Sequence, residues 1–532
     1  MTKQGFFLGV DVGSGSARAG IFDTAGHMLA VAKRDITIWR EGADVVEQSS
    51  EDIWSAVCAS TREALGNAGI DPADVRGIGF DATCSLVVLG EGGTALTVSQ
   101  SGDPQRNIIV WMDHRAIQQA ERINATGHPV LRYVGGVISP EMETPKLLWL
   151  KENLPDTYAN AWQFLDLADF LTWRATGDLS RSACTVTCKW TYLAHENRWD
   201  PDYFHRIGLN ELADEDFARI GQNVVAPGTA LGRGLSEQAA KDLGLMPGTA
   251  VAAGLIDAHA GGIGTVGVQG TPQSNLAYVF GTSSCTMTST DGPVFVPGVW
   301  GPYYQAMVPG MWLNEGGQSA AGAAMDQLLS FHPAAAEAEK AAQDAGQSLP
   351  VWLAERAAAA VSPSEAIMLA GGLHVVPEFL GNRAPFGDPH ARAIIAGLGM
   401  ERDIDNLVAL YIAGLSGIGY GLRQIIEAQD RAGASVERIV ISGGAGQSPL
   451  VRQLIADAAG KPLVSVQAEE PVLAGSAILG AVAAGVYATM PEAMKSMSAR
   501  SSEYMPSAET GTLHQRRYDA FCALQNVGRS FG

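Results

Sequence analysis

At 532 residues the chain is longer than one compact core normally supports, so its length predicts more than one domain. Apolar residues make up 46% and charged residues 17%, a composition typical of a globular protein and not of a disordered one. Because 56 acidic side chains outnumber 36 basic ones, the net charge is -20, and nucleic acid is therefore not an expected partner. Any phosphate that the protein binds must be held by groups at its own site, against the overall negative charge.

The chain begins without an apolar run of signal-peptide length, so we expect a cytoplasmic protein. The opening stretch FFLGVDVGSGSARAGIFD predicts a strand that ends at Asp11, a Gly/Ser turn, and a second strand of a β-meander. A helix is predicted from its cap at Ser49 to Gly69. The next two apolar runs, VRGIGFDATCSLVVL and RNIIVWMDHRA, predict strands that end at Asp81 and Asp113.

The second half restarts in the same way. QSNLAYVFGTSSCTMTS predicts a strand, a turn at residues 281–284 and another strand, so the chain is interpreted as internally duplicated. We place the domain boundary in residues 268–273, where Gly and Pro occur, which gives domains at 1–267 and 268–532. The Ala-rich segment 333–361 predicts exposed helices.

Two further stretches call for a choice between interpretations. Between Pro471 and Pro491 lie 19 residues without a charge, close to the length of a membrane span, but their Ala, Gly and Ser content favours a tightly packed interior helix, and no membrane partner is expected.

The six cysteines are sparse, and the pair Cys184 and Cys188 has no matching second pair. We therefore expect free thiols and neither a metal site nor disulfides.

The turn after Asp11 points backbone N–H groups and hydroxyls outward together, a geometry that suits anionic oxygens such as phosphate. Asp11 would repel a phosphate unless a cation lay between them, so the pairing indicates Mg²⁺. A plain hairpin turn with a solvated Asp11 explains the stretch equally well. The chain contains no P-loop motif, and a literal GxGxxG at Gly262, Gly264 and Gly267 falls inside a predicted helix, where it cannot meet phosphate at the helix start.

Asp257 in GLIDAHAGG lies where a predicted strand gives way to a helix. Beside the amides of a helix start it is expected to stay ionised and could accept a proton from an attacking hydroxyl, although a simple helix cap is the alternative. A third turn, ISGGAGQSP, carries Gly443, Gly444 and Gly446 and opens a helix at Ser448, which would let an adenine ring or ribose approach the backbone closely.

Taken in order, the motifs DVGSGSAR, WMDHR, GLIDAHAG, VFGTSS, GNRAPFGDPHARA and ISGGAGQSPLVRQL resemble the FGGY family of carbohydrate kinases, a branch of the actin-like ATPase superfamily. The resemblance implies an α/β fold with two ribonuclease-H-like domains flanking a catalytic cleft. It places ATP mainly on the C-terminal domain and sugar mainly on the N-terminal one. TCSLV within GIGFDATCSLVVL resembles the kinases that act on D-ribulose.

The resemblance also implies roles for individual residues. The nucleotide would be held by three turns: the first phosphate turn is Gly13, Ser14 and Ser16, the second is Gly281, Thr282 and Ser283, and the adenosine site is Gly443, Gly444 and Gly446. Asp11 and Asp257 would bind Mg²⁺, and Asp257 would also be the catalytic base. The sugar would be contacted by Asp81, Thr83, Cys84, Trp111, Asp113, Lys189 and Glu315. For three of these a structural interpretation stays open: Trp111 as core, Cys84 as a small buried apolar residue, and Lys189 as a solvated surface charge.

The expected reaction is therefore Mg²⁺- and ATP-dependent phosphorylation of a ketopentose, D-ribulose to D-ribulose 5-phosphate, with cleft closure about a hinge near residues 268–273. Kinases for L-ribulose, xylulose, ribitol or glycerol, and an actin-like ATPase without a sugar, remain alternatives. Two departures from the family pattern bear on the subgroup: PEMETPKLLWLKEN matches the usual signature only in its K-x-x-W-L half, and Ser416 stands where relatives often carry an acid. By resemblance the chain could form a homodimer.

Overall fold

The structure is a computed structural model that describes residues 5–530. Its strands, in chain order, are β1 Phe6–Val12, β2 Ser16–Phe22, β3 Met28–Asp35, β4 Trp39–Glu41, β5 Val45–Gln48, β6 Val75–Ala82, β7 Leu86–Leu89, β8 Ile108–Ile109, β9 Gln163–Asp166, β10 Arg181–Ser182, β11 Val224–Val225, β12 Ala250–Val251, β13 Leu255–Ile256, β14 Asn275–Phe280, β15 Ser284–Thr290, β16 Trp300–Tyr304, β17 Trp312–Gln318, β18 His374–Val376, β19 Ile394–Ala396, β20 Arg438–Ser442, β21 Leu463–Val466 and β22 Arg500–Tyr504.

The α-helices are α1 Ser50–Ala68, α2 Ile117–Ala125, α3 Glu143–Asn153, α4 Pro155–Asn160, α5 Leu167–Thr176, α6 Ala183–Trp190, α7 Pro201–Arg206, α8 Asn210–Asp214, α9 Glu237–Leu243, α10 Asp257–Val266, α11 Gly322–Ser330, α12 Ala335–Asp344, α13 Leu349–Ala360, α14 Ile404–Ala432, α15 Pro449–Ala459, α16 Pro471–Ala483, α17 Met490–Met497 and α18 Gly511–Arg529. Short 3-10 helices cover Pro72–Asp74, Glu91–Gly93, Pro129–Val134, Pro272–Ser274, Pro363–Ala370 and Gly444–Gly446.

Two large sheets share one strand arrangement. The first has the order β12-β6-β1-β2-β3, and the second has the order β16-β17-β15-β14-β20-β21-β22. In the first, β1 pairs antiparallel with β2 and parallel with β6; in the second, β14 pairs antiparallel with β15 and parallel with β20. The predicted duplication is therefore present in the topology, and the α/β class is confirmed.

Helices cover both sheets and also lie between them. One core joins the first sheet to α1, α5 and α9, and a second joins the other sheet to α14 and α15. Between the sheets run α10 and α16: α16 contacts β1 and β6 of the first sheet, and α10 contacts β14 and β20 of the second. The helix that carries Asp257 is thus packed against strands of the second half.

Small residues allow α16 to approach its neighbours closely. A Cβ added at Gly79 of β6 would collide with the carbonyl of Ser476, and one added at Gly475 would collide with the carbonyl of Ala260 in α10. The uncharged stretch after Pro471 is an interior helix, as predicted. Within residues 5–530, no helix is both long and apolar enough to cross a bilayer.

Some predicted elements differ in extent. The strand predicted to end at Asp81 is confirmed as β6, which ends at Ala82; the chain then leaves this sheet and pairs elsewhere from Leu86 onward. Only Ile108 and Ile109 of the next predicted strand pair as β-structure, because the chain turns immediately afterwards, where the Asp113 amide donates to the Val110 carbonyl at 3.0 Å. The meander and the helix with its Ser49 cap are confirmed.

Candidate active site

The first Gly/Ser turn connects β1 to β2. Its closing hydrogen bond runs from the Gly13 amide to the Ser16 carbonyl at 3.0 Å. The indole of Trp111 donates to the Ser14 hydroxyl at 3.0 Å, so this half-buried tryptophan contacts the turn directly and is not only part of the core. Thr83 lies alongside, because its amide donates to the Val12 carbonyl at 2.9 Å. The loop after β6 and the first turn therefore form one surface.

Asp11 lies at the carboxyl end of β1 and is buried. Arg18 faces it across the β1–β2 pair and donates from Nε to Asp11 Oδ2 at 2.7 Å. The same guanidinium reaches the second half of the chain, where its Nη1 donates to Glu470 Oε2 at 2.6 Å. Asp11 is thus held in place by the guanidinium of Arg18, which also contacts the second half of the chain.

Asp81 lies beside Asp11 on the neighbouring strand β6 and is fully buried. The Ser476 hydroxyl of α16 donates to its Oδ2 at 2.5 Å. Burial, together with the charge of Asp11, raises the pKa of Asp81 well above its usual value. Within the chain Asp81 contacts Ser476 and Asp11, and its predicted role as a sugar contact stays a prediction.

Asp257 is the first residue of α10, and its Oδ1 accepts from the following amide at 2.7 Å. Burial and the charge of Asp11 raise its pKa to about 6. The helix start alone would lower this pKa, so the outcome shows that burial and the like charge are the stronger influences here. At neutral pH Asp257 is largely ionised, as the sequence predicted.

A cavity of about 820 Å³ separates the two halves of the chain at this point. Residues of both halves line it, including Asp11, Gly13, Asp257, Gly443 and Gly446. A second cavity of about 460 Å³ is lined by Gly281 and Thr282 of the second turn, and by Tyr411 and Val451. Gly444 and Gln447 line both cavities, so the two adjoin each other.

The second turn repeats the first. The Gly281 amide donates to the Ser283 carbonyl at 3.0 Å, and Thr282 and Ser283 are exposed. The third turn requires glycine at Gly443, where φ is +94° and a Cβ would collide with the backbone of Phe280. The second and third turns therefore follow the paired strands β14 and β20, whereas the first follows β1 of the other sheet, and residues of all three turns line the two cavities.

Lys189 and Glu315 belong to a buried polar cluster next to this cleft. His259 Nε2 lies 3.4 Å from Glu315 Oε2, and the Cys285 thiol donates to Glu315 Oε1 at 3.7 Å. Burial would raise the pKa of Glu315, but the His259 contact and the charge of Lys189 lower it to about 2. Lys189 is half-buried and its ammonium lies 5.7 Å from the centre of the Trp300 ring, so it is not a fully solvated surface charge.

Thiols complete this cluster. Cys184 Sγ lies 3.0 Å from His259 Nδ1, and the hydrogen bond from Cys188 with the charge of His259 lowers the pKa of Cys184, although burial opposes this. The buried Cys84 adjoins Lys189, and burial raises its pKa to about 12 in spite of that positive charge. Cys84 is therefore a neutral thiol.

Asp113 does not join the cleft. Its Oδ2 accepts from the Val46 amide at 2.6 Å, and both of its oxygens accept from Arg115, at 2.8 Å for Oδ1 and 2.7 Å for Oδ2. Arg115 also donates to Glu47 at 2.7 Å. We had predicted Asp113 as a sugar contact; the structure instead uses its oxygens in a buried ion-pair network.

Comparison with known proteins identifies the fold and the chemistry. The sequence model of the family for the N-terminal domain of FGGY carbohydrate kinases matches residues 6–264, and the sequence model for the C-terminal domain matches residues 276–484. The chain belongs to the FGGY family of carbohydrate kinases. This FGGY kinase is accordingly a sugar kinase with the two-domain fold of the actin-like ATPases.

Individual relatives cover almost the whole kinase. A human FGGY carbohydrate kinase domain-containing protein is 46% identical over 98% of this chain and 96% of its own length. A D-ribulokinase from Saccharomyces cerevisiae is 39% identical over 90% of this chain and 72% of its own length. The crystal structure of a xylulose kinase from Rhodospirillum rubrum superposes with a TM-score of 0.81 at 20% identity, covering 99% of each chain.

Three residues in or beside the cleft were not predicted from the sequence: Arg18, which lines it, and the buried His259 and Ser476. Arg18 could have been found, because a hairpin closed between Gly13 and Ser16 places residue 18 opposite residue 11. His259 and Ser476 gave no such signal. They meet Glu315 and Asp81, which lie 56 and 395 positions away in the chain.

The carboxylates suit a divalent cation. Asp11 and Asp257 line one cavity, and the charge of Asp11 adds to the effect of burial in raising the pKa of Asp257. Oxygen donors of this kind are the ligands that Mg²⁺ prefers, and a cation between them would offset the repulsion.

Proposed function

We propose that this kinase transfers the γ-phosphoryl group of ATP to the terminal hydroxyl of a ketopentose, with D-ribulose as the preferred substrate. The observation that carries the proposal is a pair of adjoining cavities: Gly13 of the first Gly/Ser turn and Asp257 line one, and Gly281 and Thr282 of the second turn line the other. The choice of sugar is supported by the 39% identity to the yeast D-ribulokinase. It is also supported by the TCSLV stretch, whose Thr83 contacts β1.

In this proposal the two turns hold the phosphates through backbone amides and hydroxyls. Gly13, Ser14 and Ser16 serve on one side, and Gly281, Thr282 and Ser283 on the other. Gly443, Gly444 and Gly446 admit the adenosine, because Gly444 lines both cavities and has open space where a side chain would project. Asp11 and Asp257 would hold Mg²⁺, which supplies charge neutralisation for the transferring phosphoryl group.

Asp257 acts as the base. Its carboxylate takes the proton from the terminal hydroxyl as that oxygen bonds to the γ-phosphorus, and the bond from the γ-phosphorus to the bridging oxygen breaks, which releases ADP. Lys189 and Glu315 bind sugar hydroxyls from the polar cluster. Thr83, Cys84 and Trp111 complete the sugar site next to the first turn.

The domain division is part of the proposal. We assign residues 1–267 to the sugar-binding domain and 268–532 to the ATP-binding domain, with the hinge near residues 268–273. The strands of the first large sheet all precede Asp257, and those of the second all follow Ser274. This arrangement supports a division in that interval.

A substrate panel tests the proposal. ATP consumption and sugar phosphate formation are measured with D-ribulose, L-ribulose, D-xylulose, ribitol and glycerol, and each substrate is scored by kcat/KM. We expect D-ribulose to exceed each of the others by about tenfold or more, since one misplaced hydroxyl leaves buried polar groups unpaired. A higher kcat/KM for another sugar would overturn the choice of substrate, and ATP hydrolysis independent of every sugar would overturn the transfer reaction.

A further inference from the structure

We propose that Cys184, Cys188 and His259 form a binding site for one thiophilic divalent cation, with Zn²⁺ as the best fit, separate from the Asp11 and Asp257 site. The two cysteines lie one helical turn apart on α6, so their thiols share one face of that helix. His259 approaches that face from the first turn of α10. All three side chains are buried, and their donor atoms lie within 4.8 Å of one another.

The donor set fits zinc. Two sulfurs and an imidazole nitrogen are ligands that Zn²⁺ takes at about 2.3 Å and 2.1 Å, so adjacent ligand atoms around one ion are roughly 3.6 Å apart. Cys184 Sγ and His259 Nδ1 are now 3.0 Å apart, and a small rotation of either side chain would admit the ion. The three protein ligands leave a fourth position for a small molecule.

The surroundings of the site support the same assignment. His259 Nε2 lies 3.4 Å from Glu315 Oε2, and a carboxylate on the outer nitrogen of a metal-binding histidine fixes the ring and directs its other nitrogen at the ion. The Ile256 amide donates to Cys184 Sγ at 3.4 Å, a contact that stabilises a thiolate ligand.

The site lies beside the cleft. Asp257, two residues before His259 on α10, lines the larger cavity. Lys189 directly follows Cys188 on α6, and Asp257 lies on α10 with His259. An ion bound to the two cysteines and His259 would therefore connect the helix that carries Lys189 to the helix that carries Asp257. Neither thiol has a role in the proposed phosphoryl transfer.

Zinc binding to the reduced, chelator-treated full-length chain tests the inference, with excess Mg²⁺ present to saturate oxygen ligands. Metal content after titration against a competing chromophoric chelator gives the stoichiometry and affinity. We expect one tightly bound Zn²⁺ per chain, about 100-fold weaker binding in Cys184→Ser and Cys188→Ser, and binding weakened about 10- to 100-fold in Glu315→Gln. The matched control Cys522→Ser, on the distant helix α18, should bind as the unaltered chain does.

Cobalt spectroscopy keeps the inference testable if a variant fails to fold. Co²⁺ bound to the unaltered chain should show thiolate-to-cobalt charge-transfer absorption and the intense visible bands of a tetrahedral site, neither of which carboxylate ligands produce. Absence of stoichiometric Zn²⁺, binding retained in both cysteine variants, or a cobalt spectrum without charge transfer would each overturn the site.

Discussion

At the scale of single residues, Asp257 shows how competing influences set the state of a base. Its place at the start of α10 favours the carboxylate, whereas burial and the charge of Asp11 favour the protonated acid. Burial and the charge of Asp11 are the stronger influences, and together they raise the pKa of Asp257 to about 6. Such a group is ionised at neutral pH and still basic enough to accept a proton during transfer.

A pH profile tests this state. Only the unprotonated carboxylate of Asp257 can act as the base, so activity is full above its pKa and is lost as the pH falls through it. Because this pKa is raised, the loss occurs at a higher pH than for an ordinary aspartate. We expect kcat/KM for the sugar to be level from pH 7 to 8 and to fall about tenfold per pH unit below about pH 6, with bound Mg²⁺ moving the limb to lower pH. A one-proton increase in kcat/KM between pH 7 and 8 would assign the base to another group.

Asp113 should behave as a structural residue. Asp113→Asn removes a charge that Arg115 and the Val46 amide surround, and breaking such a buried pair costs about 3 kcal/mol of stability. We expect a lower midpoint of unfolding, with the KM for sugar in the folded fraction changed by no more than about twofold. Asp344→Asn, at an exposed ion pair on α12, serves as the control and should leave both quantities unchanged.

An increase in the sugar KM of Asp113→Asn, without loss of stability, would instead place Asp113 at the sugar. The sequence could not make this distinction. It predicts that a carboxylate follows an apolar run, but whether its oxygens face a ligand or Arg115 depends on a turn that the pattern of residues does not encode. The strand-end residues Asp11 and Asp257 were predictable because a glycine-rich turn or a helix start marks each of them.

At the scale of elements, the contact between α10 and α16 positions the base. A Cβ at Gly475 would collide with the Ala260 carbonyl, and one at Gly264 would collide with the Pro471 carbonyl. The two helices can therefore lie against each other only because both carry glycines. This contact joins the helix of Asp257 to the helix whose Ser476 donates to Asp81.

Gly475→Ala tests that contact. The added methyl group must push the helices apart, so we expect destabilisation of about 1–3 kcal/mol and a lower thermal midpoint. Gly66→Ala is the matched control, because Gly66 lies in α1 with open space around it and the same change there should stabilise by about 0.5–1 kcal/mol. Equal effects of the two substitutions would show that the close approach has no energetic role.

Elements with a local signal were predictable from the sequence. The meander follows from two apolar runs joined by short turns, and α1 from the Ser49 cap and the αL glycine at Gly69. The strand expected at RNIIVW was reduced to Ile108 and Ile109, because an apolar run indicates burial without specifying a pairing partner. The interior position of α16 followed from its small residues.

At the scale of the whole molecule, duplication produces the cleft. The same order of strands in both halves brings the turns after β1 and β14 to two adjoining cavities, and Asp257 lines the one that holds the first turn. The repeated Gly/Ser turn made this arrangement predictable from the sequence. The cluster of His259, Cys184 and Glu315 was not predictable, because its members come from three separate elements of both halves.

The most direct test of the account compares the unaltered chain with Asp257→Asn under Mg²⁺, ATP and D-ribulose, with sugar phosphate and ADP quantified together and ATP affinity measured separately. The account predicts one sugar phosphate per ADP in the unaltered chain. In the variant it predicts turnover reduced by about 10²–10⁴-fold, the contribution of a general base, with ATP affinity nearly unchanged. Near-normal turnover of Asp257→Asn would contradict the account.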